Sequence, residues 1–120
     1  MEIQRGTLSS GRGWHLVRSR RKHPGLKTGE HHILECVDQA TWHALTLSER
    51  GELLAIAYDR AEKLALVFDR WQVGFNGPGL AHRSHFHVHI LLPSESDVRE
   101  SFSFIGRRTD MFPTGDGAGI

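Results

Sequence analysis

A chain of 120 residues, 38% apolar and 24% charged, has the length of one domain, since a single core spans about 100–150 residues. Its composition excludes a disordered chain, and no apolar run reaches the roughly 20 residues that cross a bilayer. Fifteen basic against fourteen acidic side chains leave a net charge of +1, which excludes a histone-like, charge-driven nucleic-acid binder.

Residues 1–10 carry no apolar period and read as a loose N-terminal arm. They also lack the basic-then-apolar order of a secretory signal. Gly11-Arg12-Gly13 leads into a strand predicted over Trp14–Val17. The run from Arg18 to His23 is basic and reads first as a solvated loop, closed by the turn pair Pro24-Gly25. A second strand is predicted over His32–Val37. It holds the single cysteine, Cys36, which allows no internal disulfide and points to a reducing, cytoplasmic setting. Thr46-Leu47-Ser48-Glu49 has the spacing of a capping box. Leu54, Ala57, Tyr58, Ala61, Ala65, Phe68 and Trp71 then recur three or four residues apart, which predicts one long helix to about Trp71. Strands follow over Gln72–Asn76 and Ser84–Leu92, joined through Gly77-Pro78-Gly79, and a last strand is predicted over Glu100–Ile105. From Gly106 to Ile120 the tail is glycine-rich and irregular. The whole chain, 1–120, reads as a single α+β domain with an antiparallel sheet packed against one long helix.

Four of the nine histidines fall between His82 and His89. Alternation in a strand puts His85, His87 and His89 on one face, and Phe86, Val88, Ile90 and Leu92 on the other, toward the helix. Two chemistries suit such a row. Imidazole is a zinc ligand, although three alternate positions on one strand span roughly 13 Å and would need a bend to close on one ion. Alternatively, one neutral imidazole attacks while its neighbours orient it and protonate the leaving group. Histidine suits this because both of its protonation states are accessible near neutrality.

The motif His85-Phe86-His87-Val88-His89-Ile90-Leu91 resembles the signature of the histidine triad (HIT) superfamily of nucleotide hydrolases and transferases. Asn76-Gly77-Pro78-Gly79 is similar to the family's loop before the triad strand. His32-Ile33-Leu34 resembles its upstream histidine strand, and Trp42 to Glu49 its approach to the long helix. The likeness runs from about Glu30 to Pro93. It implies a HIT-like fold that usually dimerises, and hydrolysis or transfer at a nucleotide α-phosphate through a covalent nucleotidyl-histidine. On that resemblance His87 is the nucleophile, and His89 contacts the phosphate and helps the leaving group depart. His85 and His32 form a supporting hydrogen-bond shell, with His32 beside His85. Neither metal nor cofactor is required. Asn76, Gly79 and Ser84 are candidate substrate contacts, and His82 joins them because phosphate would pass its loop. Leu80-Ala81-His82-Arg83-Ser84 stands where many members carry Gly-Gln-Ser/Thr-Val.

The implied partners are a nucleotide or nucleoside phosphoramidate and a second copy of the chain. Membrane is not among them. Two other readings stay open: a binding protein for nucleotides or nucleic-acid ends, using the basic stretch Arg18–Lys22 with little turnover, and a metal-binding histidine strand. His15, His23 and His43 have no motif context and read as structural.

Overall fold

Trp14, Leu16, Leu34, Cys36, Val88, Ile90 and Leu92 each occupy alternate strand positions, so pairing their strands builds one continuous apolar face. A computed structural model of the protein, which describes residues 1–20, 23, 25–81 and 83–99, forms that face on a five-stranded antiparallel sheet. Strands β1 (Glu2–Thr7), β2 (Gly13–Arg18), β3 (Glu30–Cys36), β4 (Gln72–Gly74) and β5 (His87–Leu92) lie in the order β1-β2-β3-β5-β4. Register is set by pairs such as Leu16 with Leu34 and Leu34 with Val88. Arg21, Lys22, Pro24, His82, the strand predicted over Glu100–Ile105 and the tail from Gly106 lie outside the described residues.

Helix α1 (Leu47–Leu64) covers the apolar face, packing on β3, β4 and β5. Its capping box is formed: the Thr46 hydroxyl accepts from the Glu49 N–H at 3.0 Å, and the Glu49 carboxylate accepts from the Thr46 N–H at 2.9 Å. Leu53, Ala57 and Ala61 turn inward and join Trp14, Leu16, Leu34, Val88 and Ile90 in the core. Trp42 closes one end of that core, stacked on Phe75 and edge-on to Phe86, with the Arg50 guanidinium 4.1 Å from its ring.

Three expectations are corrected. Residues 1–10 are not a loose arm, because β1 pairs antiparallel with β2 as an edge strand. Its side chains are largely exposed, so backbone pairing holds it without leaving an apolar period in the sequence. Gly6 is required there, since a Cβ would come within 2.5 Å of the Trp14 indole. The helix ends at Leu64 rather than near Trp71. Strand β4 has to return beside β5, so the chain reverses through residues 65–71, with Asp69 at φ 65° and Val67 bridged to Arg70. Phe68, counted in the helical stripe, is 93% exposed. The strand predicted over Ser84–Leu92 is regular only from His87, with His85 joined to Thr41 by an isolated bridge.

A short helix, α2 (Glu95–Arg99), follows β5. It starts from a second reciprocal cap, Ser94 with Asp97, a Ser-x-x-Asp spacing visible in the sequence. Asp97 is 2% exposed and also accepts the backbone N–H groups of Lys27 and Gly29 at 2.6 and 2.8 Å. No helix among the described residues is long and apolar enough to cross a membrane.

Candidate active site

The face of β5 turned from α1 carries His87 and His89, with His85 just before the strand on the same side. Their ring centroids are 5.3 Å apart for His85 and His87, and 4.8 Å for His87 and His89. Alternate Cα atoms on a strand are about 6.8 Å apart, so the rings lean together into a continuous row.

Hydrogen bonds orient each ring. His87 Nδ1 lies 3.1 Å from the His85 carbonyl oxygen. Only a protonated nitrogen can donate to a carbonyl, so a neutral His87 carries its proton on Nδ1 and keeps the Nε2 lone pair. Burial holds the His87 imidazole below its usual range; the carbonyl bond opposes this, and charge on His85 and Arg83 adds to it. His89 Nδ1 meets His31 Nε2 at 2.8 Å, and the His23 ring sits edge-on to His31.

On the far side of His87, His85 Nε2 meets one oxygen of Glu35 at 2.9 Å, and His15 Nε2 meets the other at 2.9 Å. Burial pushes the Glu35 carboxyl up, and the bonds from His15 and His85 outweigh it, leaving the group below the usual carboxylate range. The row therefore crosses three strands: β5 with His87 and His89, continued by His85 just before it, β3 with His31 and Glu35, and β2 with His15.

His32 is not in this row. It shares the face of Leu34 and Cys36, opposite Arg18 on β2 and Ile90 on β5, and is 2% exposed. Its Nε2 bonds Glu30 at 2.9 Å, and the same carboxylate oxygen takes Arg18 at 3.1 Å. Burial lowers its basicity. The expected neighbour of His85 is thus on the opposite side of the sheet, and the four-histidine shell drawn through His32 does not form. The cause is strand parity, since one residue of shift exchanges the two faces. His31 takes the upstream position, beside His89, and Glu35 is the partner of His85.

Of the loop candidates, Asn76 is half-buried two residues beyond Gly74, which pairs with His89. Gly79 is in an exposed turn, and Ser84 is exposed immediately before His85. Among the described residues no hydrogen bond joins these three to the row. His82 lies outside the described residues. Arg18, from the basic stretch, is paired with Glu30 beside His32 on the α1 side of the sheet, away from the triad row.

His15, His31 and Glu35 escaped the sequence reading. A signal existed: in His31-His32-Ile33-Leu34-Glu35-Cys36 the apolar parity of Leu34 and Cys36 claims His32 for the core and leaves His31 with Glu35. No sequence signal ties His15 to that pair, because the β2–β3 register is a tertiary fact.

The row offers a nitrogen nucleophile, several proton donors and a half-buried setting in which their charges act strongly. Among the described residues no group of three or more His, Cys, Asp or Glu side chains is arranged to hold a metal ion. Fold and site together define an α+β domain with an imidazole–carboxylate row on the face of its sheet turned from α1. Set beside known proteins, the chain matches no family model, no curated protein and no solved structure.

Proposed function

We propose that this protein is a histidine triad hydrolase or transferase that acts at the α-phosphate of a nucleotide through His87. The carrying observation is the bond between His87 Nδ1 and the His85 carbonyl, which directs the free lone pair to Nε2. In the first step that lone pair forms a nitrogen–phosphorus bond. The bond from phosphorus to the leaving group breaks, and its electron pair leaves with that group. His89 supplies the proton: as an imidazolium it donates Nδ1–H to His31 Nε2 and gives its Nε2 proton to the leaving group, which leaves His89 neutral. Water then attacks phosphorus, returns a proton to His89 and frees His87. Proton transfer of this kind contributes roughly 10²–10⁴-fold.

The resemblance of the His85–Leu91 motif to the HIT signature supports the same chemistry. It also suggests a HIT-like homodimer, and the lone, buried Cys36 suits a cytoplasmic protein. Purified protein should hydrolyse adenosine 5′-phosphoramidate. His87→Ala should remove turnover while AMP affinity stays within about tenfold, or about 1.4 kcal/mol. A rapid neutral quench of wild type should show one nucleotide mass on the peptide spanning His85–Leu92, labile to acid and stable to base. Wild-type rates in His87→Ala would sink the assignment. AMP binding with no turnover in wild type would favour a nucleotide-binding protein on this fold, the reading that exposed Arg83 before the triad also suits.

A further inference from the structure

Glu35 lies at the junction of three strands, opposite His15 on β2 and His87 on β5. Its carboxylate reaches diagonally to His85, so that one oxygen meets the His85 ring and the other the His15 ring, each at 2.9 Å. A carboxylate only accepts, and both contacts are through Nε2. Each ring must therefore place a proton on Nε2, against the competition, for His15, of the exposed Glu2 carboxylate that faces its Nδ1 at 3.4 Å. The side chains of all three residues are largely shielded from water, so bulk solvent does not readily replace either bond.

We infer that Glu35 is a positioning residue that locks His15 and His85 in their Nε2–H forms and thereby fixes the segment just before β5 that orients His87. The coupling runs through covalent structure. Restraining the His85 ring restrains its backbone, and the His85 carbonyl is the acceptor that keeps the His87 proton on Nδ1. His15, remote in sequence and on another strand, becomes part of the same unit. The lock itself needs no substrate; its kinetic consequence rests on the reading of His87 as nucleophile.

Glu35→Gln separates these layers. Glutamine is nearly isosteric but presents one acceptor and one donor, so it cannot accept from both rings. One of them must move its proton to Nδ1. Long-range proton–nitrogen correlation spectra of the imidazoles, recorded above the histidine titration range, read this directly. Wild type should show His15 and His85 both as Nε2–H, and Glu35→Gln should show one of them switched. Either ring carrying its proton on Nδ1 in wild type, or both unchanged in the variant, would overturn the lock.

Kinetics with adenosine 5′-phosphoramidate read the consequence. In Glu35→Gln, kcat should fall about tenfold with KM unchanged, because the carboxylate touches neither substrate nor reacting atoms. That tenfold is about 1.4 kcal/mol. A switched ring with wild-type kcat would overturn the positioning role. Absence of turnover in wild type would instead defeat the nucleotidyl-transfer reading, while the spectra still decide the lock.

Discussion

A neutral imidazole attacks through the nitrogen that carries no proton, so two properties of His87 decide its reactivity: where its proton sits and how readily it gains a second. The His85 carbonyl settles the first. Burial settles the second, by lowering the pKa of His87 from its ordinary 6.5. The neutral form, which attacks in the proposed reaction, therefore persists to lower pH than in a free histidine. The acidic limb of kcat/KM for phosphoramidate hydrolysis should lie below pH 6.5; a limb above it would mean that another group controls the reaction. The same shift bears on folding. The unfolded chain takes up the His87 proton first as pH falls, so this residue subtracts stability below 6.5 and contributes none of that penalty above it. Cys36 shows the opposite effect of burial, its thiol pushed up to about 11, which leaves it unreactive near neutrality.

Strand β5 and helix α1 depend on each other. Val88, Ile90 and Leu92 are fully buried toward the helix, and their burial holds the alternate histidines outward in one register. The N-terminus of α1 is secured by the Thr46–Glu49 box, in which Glu49 also accepts from Ser10 and Arg12 beside the β1–β2 connection. The box thus ties the helix start to the far edge of the sheet. Thr46→Ala should cost about 1 kcal/mol of folding free energy, seen as a lower urea midpoint with unchanged slope. An unchanged midpoint would mean that tertiary packing alone fixes the helix start.

At the scale of the molecule, the sheet end remote from Trp42 is closed by one buried carboxylate. Asp97 gathers the N–H groups of Lys27, Thr28, Gly29 and Ser94, joining the approach to β3 with the exit from β5. Gly29 has no room for a side chain there, since a Cβ would meet the Leu92 carbonyl oxygen at 2.4 Å. Asp97→Ala strands the buried Gly29 N–H and the part-buried Ser94 N–H, and each buried unsatisfied group costs about 1–3 kcal/mol. The expected loss is roughly 3 kcal/mol in denaturant unfolding. A loss under about 0.5 kcal/mol, the size of an ordinary surface substitution, would show that water replaces the carboxylate.

By itself the sequence determined those features that local rules control. Alternation put His85, His87 and His89 on one face and the apolar partners on the other. The Thr46–Glu49 spacing marked the start of α1, and the strand containing Trp14 was readable from its own residues. Tertiary structure decided what depends on partners far along the chain. Glu2–Thr7, within the expected loose arm, became a strand because β2 offered an unpaired edge, and α1 stopped at Leu64 because β4 had to turn back beside β5. His15 joined Glu35 and the triad because the pairing of β2 with β3, which no single segment encodes, sets which residues of different strands meet. The physical reason is common to all three: periodicity is a property of one segment, whereas register, edge pairing and helix termination minimise the free energy of segments in contact.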